Sequence, residues 1–298
     1  MTRGRIAAAA LAACALLAAC GSTATNVPTP TASVSPSSSV FVPDSGDGTV
    51  SADIHLPTSA DKSRPVPLIV TIPGGSWKRS DRAYLEPLAK QLASVGNVVV
   101  NATYRAGDMG AQFPVPLQDV RCDVGYAAAQ AKAAGYTPGP VVLVGHSAGG
   151  HLVALAGVSG DALAAPCADP VPHIDAVVGL AGIYDARHFT DLLTPFFGVP
   201  VDDAPALWDA GDPLHYVQAG AVPKPLSVLL LQGSDDAVVP VTQPQVFEQA
   251  LLAHGIPAQL DVLPGVDHMG VVDPAVVAGR IALFVRGLQS TYSVTPSG

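Results

Sequence analysis

The chain has 298 residues, 49% of them hydrophobic and 13% charged, with a formal net charge of −9. That composition supplies one large apolar core, and α/β folds of about 200 residues or more often form a single domain. An acidic chain with no basic cluster beyond Arg3 and Arg5 repels a phosphate backbone, which argues against nucleic acid as a partner.

Arg3 and Arg5 precede an uncharged apolar stretch from Ile6 to Ala19, the layout of a signal segment that takes no part in the fold. Fully helical, the stretch would span about 21 Å against a bilayer core of about 30 Å, so a transmembrane anchor is the weaker reading. Leu17-Ala18-Ala19-Cys20-Gly21-Ser22 resembles a bacterial lipobox. The resemblance implies that residues 1–19 are a lipoprotein signal peptide and that Cys20 becomes a lipidated N-terminus. The mature protein would then be exported and held on the extracytoplasmic face of the cell membrane, where two acyl chains anchor far better than one. Cys14 ends a similar pattern but leaves a short apolar region, and an ordinary secretory signal is the alternative.

Residues 20–40 are rich in Ser, Thr and Pro, without charge or apolar period, and read as a tether. Two further cysteines, Cys122 and Cys167, would meet an oxidising compartment, where they either pair or remain as buried thiols. Neither has a spacing suited to a metal, and no metal or organic cofactor is expected.

Residues 41–298 read as one domain. Val50–Leu56 alternates with period two, like a half-buried strand. Pro67–Ile72 is a continuous β-rich run that stops at Pro73-Gly74-Gly75. A helix is expected from Tyr84 to Ala93, a strand over Val98–Tyr104, an alanine-rich helix over Leu117–Ala134, and a buried strand over Val141–Val144. His151–Val158 has helical character, Ala176–Leu180 and Ser227–Leu231 are buried strands, and a long irregular stretch of about 185–224 between them reads as a small cap. A helix over Pro244–Ala253, a strand over Gln259–Leu263 and a closing helix over Pro274–Leu288 complete the chain. Strands with wholly apolar interiors alternating with helices predict an α/β fold, a mostly parallel central sheet covered on both faces. In such sheets the chemistry sits at the carboxyl ends of the strands.

Three motifs fall at those ends. Gly145-His146-Ser147-Ala148-Gly149 matches Gly-x-Ser-x-Gly between a strand and a helix, where the turn lifts the serine clear of the sheet. Gln232-Gly233-Ser234-Asp235-Asp236-Ala237-Val238-Val239-Pro240 follows another buried strand, and Pro264-Gly265-Val266-Asp267-His268 follows the last. A serine hydroxyl needs a base against it, and an acid must orient that base. Asp267 reads as a loop-shaping residue.

Gly145 to Leu152, together with the chain order Ser, Asp, His, resembles the α/β-hydrolase superfamily, nearest its carboxylesterase, hormone-sensitive-lipase-like and feruloyl-esterase-like branches. The resemblance implies Ser147 as nucleophile, His268 as base and Asp236 as acid, with Asp235 the candidate after a one-residue slip. Pro73-Gly74-Gly75-Ser76-Trp77 resembles the family's His-Gly-Gly-Gly-Trp, with Pro73 and Ser76 as departures. It implies an oxyanion hole formed by the amides of Gly75, Ser76 and Ala148, with Gly74 a further candidate; one such donor is often worth about 2.7–4 kcal/mol. Trp77 is either a pocket wall or packing. His146 and His151 are expected to pack around the elbow, Tyr104, Arg105 and Asp119 to brace the loops, and Asp81 and Arg82 to form a surface or bracing pair.

The resemblance implies a small-molecule carboxylic ester as substrate, cleaved through an acyl-enzyme. An amide or peptide substrate is the enzymatic alternative, and a non-catalytic envelope lipoprotein the alternative of another class.

Overall fold

The computed structural model describes residues 51–164 and 166–292; the expected signal peptide, Cys14, Cys20 and the tether lie outside the described residues. Among the described residues seven strands, β1 (Ala52–His55), β2 (Val66–Ile72), β3 (Val98–Ala102), β4 (Pro138–His146), β5 (Ala176–Leu180), β6 (Ser227–Gly233) and β7 (Ala258–Leu263), form one sheet. Their order is β1-β3-β2-β4-β5-β6-β7. Only β1 runs antiparallel to its neighbour; the rest of the sheet is parallel.

Helices cover both faces, as continuous apolar strands require. Leu68, Val70 and Ile72 of β2 face one way, into a core shared with helices α2 (Val115–Ala133) and α3 (Ala148–Ser159). Ile69 faces the other way, toward α1 (Glu86–Ser94) and the closing helix, which runs Pro274–Tyr292. Every residue of α3 is buried, the pattern of a helix enclosed on all sides. No helix among the described residues is long and apolar enough to cross a membrane.

The stretch between β5 and β6 carries α4 (Thr190–Phe197), α5 (Pro205–Ala210) and α6 (Pro213–Gln218), ahead of α7 (Thr242–Ala253) and α8, the closing helix. Phe196 and Phe197 from this insertion pack, tilted or edge to face, against each other and against Phe113, and Trp208 packs against Phe197. They join the α2–α3 side of the core rather than forming a core of their own.

Two local expectations are corrected. On the edge strand β1, Ile54, and Leu56 just beyond it, are exposed rather than turned inward. Its polar residues face α1 instead: Asp53 pairs with Arg82 at 2.7 Å, and His55 Nε2 lies 3.0 Å from Glu86 Oε2. Arg82 therefore braces β1 rather than pairing with Asp81, whose Oδ1 accepts from the amide of Ala83. Cys122 on α2 and Cys167 after α3 are bonded, Sγ to Sγ.

Candidate active site

The sheet order reverses at β2, with β3 on one side and β4 on the other. A crevice opens at such a switch point, beyond the carboxyl ends of the strands. Ile72, the last residue of β2, is in register with Gly145 of β4, so the Pro73–Trp77 loop and the Ser147 turn emerge side by side.

Ser147 has φ 53° and ψ −117° between β4 and α3. A side chain rarely adopts this region, and strain of this kind persists only where its surroundings hold it. The Ser147 amide donates to the Leu180 carbonyl of β5 at 2.9 Å, and the Ser147 carbonyl accepts from the His151 amide at 3.0 Å. The two motif glycines are required by close approach. A Cβ on Gly145 would come within 2.2 Å of the Gly149 carbonyl oxygen, and one on Gly149 within 2.3 Å of that of Ile72.

The loops that carry Asp236 and His268 meet because β6 and β7 are parallel neighbours. Ser234 N donates to the Leu263 carbonyl at 2.9 Å and Asp235 N to that of Val266 at 3.0 Å. Within that frame His268 Nδ1 lies 2.8 Å from Asp236 Oδ2. The Asp236 side chain is almost wholly buried. Burial by itself would raise its carboxyl, but the Val239 amide, the His268 ring and the Val238 amide outweigh that and hold it below the ordinary value. Asp235 is exposed and accepts from Ser234 Oγ, so the geometry separates the two candidates. Asp267 Oδ1 accepts from the amides of Met269 and Gly270, shaping the loop as expected.

Gln232 was not singled out by the motif, yet its buried Nε2 donates to Asp236 Oδ2 and to the Val239 carbonyl, both at 2.9 Å. Its place at the end of a buried strand, four residues before Asp236, is the one signal that could have found it.

Ser147 and His268 make no direct hydrogen bond among the described residues. They are linked through His146, whose ring centroid lies 4.8 Å from that of His268. Bonds of this type are often long without substrate and tighten when it binds.

In the Pro73–Trp77 loop, Gly75, Ser76 and Trp77 have φ of 136°, 54° and 56° in succession. The Gly75 carbonyl accepts from the amides of Lys78 and Arg79, closing a tight turn. Among the described residues the amides of Gly75, Ser76 and Ala148 have no hydrogen-bond partner, whereas that of Gly74 donates to the Tyr84 hydroxyl at 2.5 Å. Gly74 is thereby set apart from the other three. Trp77 is buried against Phe196 and His151, so it is packing.

His146 and His151 do pack about the elbow. Burial lowers each to a pKa of about 4, so both rings are neutral at physiological pH. Arg105 braces Asp119, with Nε 2.9 Å from Oδ2 and Nη2 2.5 Å from Oδ1. Among the described residues no cluster of three or more His, Cys, Asp or Glu is placed to hold a metal ion.

Residues 52–251 match the BD-FAE family, a span that includes Ser147 and Asp236 while His268 lies beyond it. "Esterase LipC" of Mycobacterium tuberculosis (strain ATCC 25618 / H37Rv) is 29% identical over 211 residues, 64% of this chain and 49% of that protein. "Isoprenylcysteine alpha-carbonyl methylesterase ICME" of Arabidopsis thaliana is 27% identical over 233 residues, 72% of this chain and 53% of that protein. The chain spans about half the length of the curated relatives it matches. A truncated carbohydrate esterase from gut microbiota has the same fold, with a TM-score of 0.70 at 23% identity over 80% of this chain and 91% of that one. A propionate-bound esterase from Thermogutta terrifontis aligns with a TM-score of 0.64 at 22% identity, over 84% and 92%. The matched span and the sheet together identify the chain as a member of the BD-FAE family, of the α/β-hydrolase fold.

Proposed function

We propose that this protein is a serine hydrolase that cleaves small carboxylic esters through an acyl-enzyme. The observation that carries the reading is the 2.8 Å pairing of His268 with a buried, ionised Asp236, at the same carboxyl edge of the sheet as a serine held at positive φ at the end of β4. The names of the relatives, esterases and a methylesterase, point to the same class of bond.

In this mechanism Ser147 Oγ attacks the ester carbonyl and its proton passes to His268 Nε2. Asp236 holds Nδ1–H and stabilises the imidazolium that forms. The negative oxygen of the tetrahedral intermediate is met by the amides of Gly75, Ser76 and Ala148, which have no other acceptor among the described residues. The intermediate collapses, the alcohol leaves with the proton from His268, and water repeats the sequence on the acyl-enzyme to release the acid and restore Ser147.

The same proposal places the enzyme outside the cytoplasm, anchored to the membrane by a lipid on Cys20 through the 20–40 tether. Metabolic palmitate labelling that disappears in Cys20→Ala, with release of the protein from the membrane fraction, is the expected result. Label retained on that variant would overturn the anchor.

The catalytic reading is tested with chromogenic esters of graded acyl length beside matched aminoacyl amides, on the wild type and Ser147→Ala. Ester turnover that vanishes in the variant is expected, as is fluorophosphonate labelling of Ser147. Faster cleavage of the amides, or turnover that survives the substitution, would sink it.

A further inference from the structure

We infer that Tyr84 is a positioning residue that ties the oxyanion loop, the nucleophile turn and the base loop into one unit. The inference rests on the hydrolase reading above. Tyr84 belongs to a 3-10 turn, Ala83–Leu85, between β2 and α1 and outside every motif of the chain.

The direction of each hydrogen bond can be worked out from one end. His146 Nε2 lies 2.9 Å from the backbone carbonyl oxygen of His268. A carbonyl only accepts, so Nε2 carries the hydrogen. The ring is buried and neutral, which leaves Nδ1 as a lone-pair acceptor. The Tyr84 hydroxyl, 3.0 Å from Nδ1, is therefore the donor. Burial pushes that phenol up to about 12, so its proton stays in place at any working pH. With its hydrogen committed to His146, the Tyr84 oxygen accepts from the Gly74 amide at 2.5 Å.

The result is an unbroken line: Gly74 N–H to Tyr84, Tyr84 O–H to His146, His146 Nε2–H to the His268 carbonyl. The two rings are packed edge to face, 5.7 Å between centroids. Three loops that follow β2, β4 and β7 are thus joined by side chains across the sheet edge.

Two consequences bear on the reaction. Tyr84 removes Gly74 from the set of free donors and sets the start of the turn that leaves the Gly75 and Ser76 amides open. His146 grips the base residue by its main chain, so the His268 ring keeps Nδ1 for Asp236 and Nε2 for the serine. Displacement by about 1 Å of groups held in this way costs on the order of 100-fold in rate.

The experiment measures p-nitrophenyl acetate hydrolysis per competent site, counting sites by fluorophosphonate labelling run to completion. Counting only competent sites keeps the test decisive even where a variant folds poorly. For Tyr84→Phe the expected result is a fall in kcat per labelled site of about 10- to 100-fold, with KM changed far less. His146→Leu should fall similarly, and the double variant Tyr84→Phe/His146→Leu should be no worse than the lower single one, because both cut the same line. His146→Gln, which retains a donor in reach of the His268 carbonyl, should recover part of the loss. A purely structural tyrosine would reduce the number of labelled sites and leave kcat per site unchanged. That outcome, or additive losses in the double variant, overturns the inference while the hydrolase reading stands. A wild type that neither labels at Ser147 nor turns over any ester removes both.

Discussion

The indole N–H of Trp77 donates to Nδ1 of His151 at 3.2 Å, and the same ring's Nε2 donates to the Gly211 carbonyl at 2.8 Å. One neutral histidine on α3 therefore joins the loop after β2 to the insertion between α5 and α6. His146 is held in the same sense, acceptor at Nδ1 and donor at Nε2.

That arrangement makes a prediction about acid. Burial holds His151 at about 4, below the roughly 6.5 of an unfolded histidine. Above the unfolded value both states are neutral and the stabilisation is intact. As pH falls from about 6.5 toward 4 the unfolded chain takes up the proton and the folded one does not, so stability is lost. The full effect is up to roughly 3 kcal/mol. His151→Gln removes this titration, so its deficit against the wild type in thermal unfolding should narrow between pH 7 and pH 4. A deficit that is constant across that range would rule the argument out.

Asp236 Oδ2 accepts from both His268 Nδ1 and Gln232 Nε2. In Asp236→Asn the amide nitrogen can only donate, so either orientation costs both of these contacts or both of those at Oδ1 from Val238 and Val239. Turnover should fall on the order of 10⁴-fold with the fold retained, the size expected when the base loses its correct tautomer. Gln232→Leu should cost less, since it removes a support and leaves the carboxylate. Equal losses in steady-state assays of the two variants would mean that the carboxylate has no special role.

Arg105 is the cation for Asp119, whose side chain has no exposed surface. Burial raises the Asp119 carboxyl and outweighs the lowering by Arg105. Arg105→Met should therefore destabilise by about 3–5 kcal/mol in urea unfolding at neutral pH, because it strands a buried charge. Arg105→Met with Asp119→Leu should recover most of that. A double variant as unstable as the single one would show that packing, not charge, is lost.

The Cys122–Cys167 bond closes a chain separation of 45 residues. On the loop-entropy account its removal in Cys122→Ala/Cys167→Ala should cost about 3–4 kcal/mol. Calorimetry of the variant beside the oxidised wild type measures this directly, and an unchanged midpoint would contradict it.

The sequence by itself determined the strands, the alternating helices and the identity of the serine turn. Those features are written in neighbouring residues: apolar runs such as Val98–Val100, breakers such as Pro73-Gly74, and two glycines around Ser147. The choice of Asp236 over Asp235 came from the resemblance to the family motif, not from composition or periodicity. Tertiary structure alone decided which distant groups meet. Gln232, Tyr84 and the pairing of Arg82 with Asp53 carry no local periodicity, and the links from Trp77 to His151 and from His146 to His268 span 74 and 122 residues. Periodicity reports which face of an element is apolar. A hydrogen bond between loops depends instead on where the sheet's twist and strand order bring their ends, and that is settled only when the whole core has packed.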